Sequence, residues 1–142
     1  MKFIIVDTSV WSKAFRKKNL TEEEKKMISF LEKIIRDGRV IMIGAIRQEI
    51  LCGISNENRF EKLRSALEAF SDFELEEDDY ITAAKYYNKC RCHGIQGSMT
   101  DFLICSVATH HNFSIFALDD DFNHYKEYID LDLVKESDWS IE

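Results

Sequence analysis

The run Phe3-Ile4-Ile5-Val6 is apolar at every position and is closed at once by Asp7. A strand with one solvated face alternates apolar and polar side chains, so consecutive apolar residues suit a strand covered on both faces, as in a parallel sheet flanked by helices. The pattern recurs in Val40-Ile41-Met42-Ile43 before Gly44, and in Ser114-Ile115-Phe116-Ala117-Leu118 before Asp119. Phe73-Glu74-Leu75 is a shorter strand candidate, and Leu131 to Val134 suits a final edge strand.

Helical spacing fills the intervals. Thr8 or Ser9 can cap a short helix through Phe15. Thr21, with Glu24 three residues on, forms a capping box for a helix whose apolar face is Met27, Ile28, Leu31, Ile34 and Ile35, with Gly38 as its stop. After Gly44 a helix carries Ile46, Glu49 and Ile50 toward Gly53. Asn58 to Phe70 repeats apolar residues at Phe60, Leu63, Leu67 and Phe70. Asp78 or Asp79 can cap a helix to about Cys92, the stretch from His93 to Met99 reads as a loop, and Thr100 or Ser98 caps the apolar helix from Asp101 to Thr109. Phe122 to Ile129 is weakly helical. The chain has no proline, which leaves Gly, Asn and Asp to make the turns. Strands alternating with helices, without repeats or linkers, predict a single α/β domain over residues 1–142, a three-layer α/β/α sandwich around a mainly parallel sheet.

At 142 residues and 45% hydrophobic composition the chain can bury a proper core. Its apolar runs fall far short of the roughly 20 residues of a membrane span, and Met1-Lys2 leads straight into a strand, so no membrane association and a cytoplasmic location are expected. Cys52, Cys90, Cys92 and Cys105 suit buried free thiols better than a disulfide framework. Cys90, Cys92 and His93 lack the spacing of a zinc knuckle. His93, His110, His111 and His124 have no Ser or Cys partner in a nucleophile motif, and loop or surface positions suit them.

The formal net charge of −7 argues against a broad basic surface for nucleic acid. That argument weakens if part of the acidity holds a cation, because a bound ion inverts the local field where a phosphate must approach. Asp7, Asp119 and Asp121 follow strands, Asp101 opens an apolar helix, and Glu49 lies in the helix after the second strand. Ligands collect outside the carboxyl ends of the strands in an open α/β sheet. Carboxylates converging there repel one another unless a divalent cation sits among them, which points to a metal-dependent phosphodiester hydrolase. Lys13, Arg16, Lys17 and Lys18 form a basic segment able to meet a phosphate backbone, or equally a solvated helix end.

Asp7-Thr8-Ser9, Glu49, Asp101 and Asp119-x-Asp121-Phe122, in that order on those elements, resemble the PIN-domain family, and the chain's length most resembles the VapC-type toxins of toxin–antitoxin pairs. The resemblance implies a compact α/β/α sandwich and a ribonuclease that cuts with Mg2+ or Mn2+. It makes Asp7, Glu49, Asp101 and Asp119 the catalytic acids, with Asp7, Asp101 and Asp119 holding metal and Thr8, Ser9, Thr100 and Asp121 in support. Expected partners are an RNA substrate, a cognate small antitoxin protein covering the cleft, and a second copy of the chain in a homodimer. Ala117 departs from the pattern, since relatives often carry Thr or Ser there, and this puts a supporting hydrogen bond in question.

Each acid also has a plain structural reading. Asp7 and Asp119 could be turn residues, Asp101 could offset a helix dipole, and an exposed Glu49 needs no function. Asp120 should point away from Asp119 and Asp121 in an extended segment. Two alternatives stay open at this point: a PIN-type nuclease of RNA maturation, and a non-catalytic module whose acidic cleft grips a basic partner.

Overall fold

The computed structural model describes residues 2–16 and 18–140. Its centre is a parallel sheet in the order β2-β1-β3, formed by β1 (Ile4–Val6), β2 (Val40–Ile41) and β3 (Ser114–Phe116). Ile4 stands opposite both Val40 and Ser114, so the three strands run level and end at the same edge. All residues of β1 and β3 are buried, as an apolar run covered on both faces requires, whereas Val40 and Ile41 are half-buried.

The sheet is narrower than the sequence suggests. The segment 73–75 forms no strand; its neighbour Asp72 makes a single parallel bridge to Met42. Leu131 to Val134 likewise reduces to one bridge, Leu133 to Ile115. The Arg47 side chain replaces the missing ladder on the first side, its Nε donating to Asp72 Oδ1 at 3.0 Å and its other nitrogens to the carbonyls of Leu67 and Phe70.

Seven α-helices among the described residues cover the sheet: α1 (Thr8–Arg16), α2 (Glu22–Arg36), α3 (Gly44–Leu51), α4 (Glu57–Leu67), α5 (Glu77–Cys92), α6 (Met99–His111) and α7 (Asp121–Tyr125), followed by a 3-10 turn at Glu136–Ser140. The capping box of α2 forms as its sequence demands, Glu24 N donating to Thr21 Oγ1 at 3.1 Å and Thr21 N to Glu24 Oε1 at 2.9 Å. Gly38, at φ +68°, takes the left-handed turn that ends it. Other caps differ from expectation. Thr8 opens α1 instead of capping it, and the Asp7 carboxylate accepts the Ser9 N–H at 3.1 Å. Glu76 precedes α5 and Asp79 lies inside its first turn. Of the two candidates before α6, Ser98 is the cap, its hydroxyl accepting Asp101 N–H at 3.0 Å.

Ile4, Ile5, Val6, Ile115 and Phe116 from the sheet form the core with Ile34, Ile46, Ile104 and Val107 from the helices. Leu63 is only half-buried, and Leu67 takes the core position on α4. Cys90 and Cys105 are buried where α5 packs on α6, while Cys52 and Cys92 are exposed, against the expectation that all four are interior. The same packing fixes Asp79, only 2% exposed. Its Oδ2 accepts the Glu76 N–H at 2.9 Å, and its Oδ1 meets His110 Nδ1 at 2.8 Å and His111 Nε2 at 3.4 Å. The two histidines, expected free at the surface, therefore anchor the start of α5 to the end of α6. No helix among the described residues is long and apolar enough to cross a membrane.

Burial sets the expected cost of truncation. Ile34→Ala and Ile104→Ala, each removing a side chain with no exposed surface, should cost about 2–5 kcal/mol in denaturant unfolding. Leu67→Ala should cost clearly more than Leu63→Ala; the reverse order would mean that α4 docks through its other face.

Candidate active site

Parallel strands end together, and the site is built at that edge. Asp7 follows β1 directly, and its N–H donates to Phe116 O of β3 at 2.8 Å, which sets the start of α1 beside the chain leaving β3. The Ser9 hydroxyl reinforces this: it donates to Asp7 Oδ2 at 2.6 Å and accepts Leu118 N–H at 3.1 Å. A single hydroxyl thus ties the first acid to the backbone next to the fourth. That bond satisfies the segment in which Ala117 can offer no hydroxyl.

Glu49 reaches the same place from α3, its Oε1 accepting the Thr8 hydroxyl at 2.7 Å. Asp101 comes from the first turn of α6, where Ser98 caps the helix and a carboxylate is favoured by the exposed N–H groups. The Tyr125 hydroxyl, from α7, donates to Asp101 Oδ2 at 2.5 Å. Asp119 stands at the open rim and accepts the Asp121 N–H at 3.2 Å.

These residues line one cleft of about 630 Å³: Asp7, Glu49, Asp101, Asp119 and Asp121 with Thr8, Ser9 and Thr100. Every acid and hydroxyl singled out in the sequence as catalytic, metal-holding or supporting is present there. Of the basic segment, the described residues Lys13, Arg16 and Lys18 are not among those lining the cleft. Lys13 is paired with Glu24 at 2.7 Å, Arg16 and Lys18 are exposed, and Lys17 lies outside the described residues. Asp120 lies apart from this lining and accepts the Asn123 amide at 2.7 Å. Tyr125, buried at 1% exposure, is the participant that periodicity conceals, because it occupies an apolar helical position three residues after Phe122. Its one sequence signal is that a buried tyrosine hydroxyl requires a partner.

The electrostatics distinguish these acids from ordinary caps. Burial pushes the Asp101 pKa from 3.8 to about 6; the Tyr125 bond opposes the shift, and the charges of Asp7 and Asp119 add to it. Asp7 is raised too, first by burial and then by Glu49, against the Ser9 hydrogen bonds. Asp119 is raised by partial burial of its carboxyl, then by the charges of Asp7 and Asp121. Asp79 shows the opposite balance. Burial pushes it up, but the Glu76 N–H, the His110 hydrogen bond and the charges of His111 and His110 outweigh this and hold it below its ordinary value. One carboxylate is satisfied; the others lack positive charge.

The donor set fits a hard divalent cation in kind, since carboxylate and hydroxyl oxygens are what such ions take and added positive charge would relieve the repulsion. Among the described residues, no three His, Cys, Asp or Glu side chains stand together closely enough to form a ready-made ligand set. The acids share the cleft without converging on a point, and Ser9, Thr8 and Tyr125 each hold one carboxylate by a single oxygen.

The PIN domain model matches residues 4–128, and the chain belongs to that family, whose members are generally nucleases using divalent metal ions. Several solved structures share the fold. FitAcB from Neisseria gonorrhoeae superposes with a TM-score of 0.74 at 18% identity over 98% of this chain and 100% of that one. VapBC2 from Rickettsia felis, bound to a promoter DNA fragment, gives 0.71 at 15% identity over 93% and 97%. A toxin–antitoxin complex from Klebsiella pneumoniae gives 0.65 at 13% identity over 94% and 97%. No curated protein matches the chain by sequence.

The raised acids predict how metal-free stability responds to pH. An Asp101 pKa of about 6 lies above its unfolded value, so its contribution is full below about pH 4 and is lost as pH rises through the folded pKa. Thermal melts in chelator should therefore fall between about pH 5 and about pH 7.5, and Asp101→Asn should remove part of that slope. An identical slope in the variant would locate the charge penalty elsewhere.

Proposed function

We propose that this chain is a Mg2+- or Mn2+-dependent endoribonuclease, the toxin of a VapBC-type toxin–antitoxin pair. One observation carries the reading: four carboxylates from four distant segments share a single cleft at the carboxyl edge of the sheet, with raised pKa values on three of them. Asp7, Asp101 and Asp119 would hold the ion. When bound, it would lower the pKa of a water and neutralise charge on the scissile phosphate, which removes the need for a nucleophilic Ser or Cys. Glu49, held by Thr8, would orient the attacking water and take up its proton; its exposed position leaves it reachable by solvent. Ser9 keeps Asp7 and the 118–119 backbone in register, and Asp121 adds negative charge beside Asp119. Thr100, on the cleft wall next to Asp101, is available as a hydrogen-bonding hydroxyl. Exposed Arg16 and Lys18, with Lys13 and Lys17, would meet the RNA backbone outside the acidic centre.

The partner reading rests on the chemistry of the cleft and on fold likeness to complexes named as VapBC and toxin–antitoxin assemblies. An acidic cleft can be closed by a guanidinium as well as by a cation, because Arg pairs bidentately with carboxylate. A small antitoxin with a basic or aromatic tail, and a homodimeric, cytoplasmic toxin, complete the proposal.

Purified protein free of antitoxin should cut single-stranded or loop RNA with Mg2+ or Mn2+ and stop in chelator. Asp7→Asn should lower cleavage by at least 100-fold while leaving the metal-free fold as stable as wild type, since a repelled charge is removed. Cleavage that persists undiminished in chelator would overturn the mechanism.

Expression alone should arrest growth, and co-expression of a small protein encoded beside it should restore growth. Unimpaired growth with abundant soluble protein that still cuts RNA would favour RNA maturation. If the protein cuts no RNA either, the non-catalytic module is favoured.

A further inference from the structure

Tyr125 is the largest fully buried side chain among the described residues, and it belongs both to the core and to the lining of the acidic cleft. The ring is wedged between Phe102 of α6, with centroids 4.8 Å apart, and Phe122 of α7, at 5.3 Å. The phenol can therefore swing little, and it donates to Asp101 Oδ2 at 2.5 Å, a charge-assisted bond when the carboxylate is ionised. The backbone of the loop before α6 passes close to it at Gly97. A Cβ on Gly97 would overlap the Tyr125 hydroxyl and come within 2.8 Å of Tyr125 Cζ and 2.7 Å of Phe102 Cε2, distances real side chains do not adopt. No left-handed turn accounts for a glycine at this position, since the positive-φ glycines are Gly38, Gly53 and Gly94.

We propose that Tyr125 is a positioning residue that fixes Asp101 for cation binding, and that Gly97 is the notch admitting its hydroxyl. The inference rests on the reading of Asp101 as a cation ligand. A ligating carboxylate is free to turn about two side-chain bonds, and a partner held rigidly by packing removes that freedom before the ion arrives. Such outer partners commonly carry about 10- to 100-fold in metal affinity. In this role the tyrosine acts through Asp101, and it couples the site to the packing of α6 against α7.

Calorimetric titration with Mn2+ tests this on the intact chain. Wild type should bind, and Tyr125→Phe, which keeps the ring and removes the hydroxyl, should fold and bind about tenfold or more weakly. Raising Mn2+ in proportion should restore its RNA cleavage, as damage to the fold would not. Gly97→Ala should weaken Mn2+ binding likewise, because its Cβ would displace the Tyr125 hydroxyl from Asp101. If Gly97→Ala does not fold, Tyr125→Phe decides alone. Tyr125→Phe binding Mn2+ within about twofold of wild type would overturn the proposal and leave the nuclease reading standing. Wild type that binds no Mn2+ would remove that reading, and this one with it.

Discussion

The parallel, level pairing of β1 with β2 and β3 is the constraint from which the site follows. Because the strands share direction and register, the residues after them emerge at one edge, and Asp7 meets the 117–119 segment through its own N–H bond to Phe116. α6 feeds into β3 and must run back against it, so its N-terminus, with Ser98 and Asp101, arrives at that same edge. α3 leaves the end of β2 and delivers Glu49. If any strand were reversed, its acid would sit at the opposite edge.

Gathering these acids works against the fold. A domain of net charge −7 that concentrates carboxylates in a partly buried cleft accepts repulsion that a stability-driven sequence would avoid. The structure limits this cost with hydroxyls. Ser9, Thr8 and Tyr125 each satisfy one carboxylate oxygen without adding charge, which holds the acids in place and leaves the excess negative potential for a cation or a basic partner to neutralise.

Asp79 supplies the internal comparison. Like Asp7 it is hidden from solvent, yet a backbone N–H and two imidazoles compensate it, and its pKa falls where those of Asp7 and Asp101 rise. Its surroundings come from the packing of α5 on α6, and it sits away from the strand edge. The contrast is in depth, since Asp7 is the more densely enclosed of the two, and in the partners available, both of which the fold decides because the residue type is the same.

Much of this was open to reading in the chain itself. Consecutive apolar residues in 4–6 and 115–116 dictated buried parallel strands, the Thr21–Glu24 box dictated where α2 begins, and the placement of Asp7 and Asp119 after strands, Asp101 at a helix start and Glu49 in the helix after the second strand marked one edge. These are local signals, carried by side chains within a turn or a strand of one another. Other features were decided by contacts that no local pattern encodes. Residues 73–75 and 131–134 have strand-like composition, but each segment meets the sheet at or beside one bridge rather than a ladder, Asp72 with Met42 and Leu133 with Ile115. His110 and His111 were indistinguishable from surface residues until α5 brought Asp79 to them. Tyr125 looked like one more apolar helix position. Only the meeting of α7, α6 and the bare backbone at Gly97 gave its hydroxyl a carboxylate to hold, because that contact joins residues far apart in the chain and depends on the space between them.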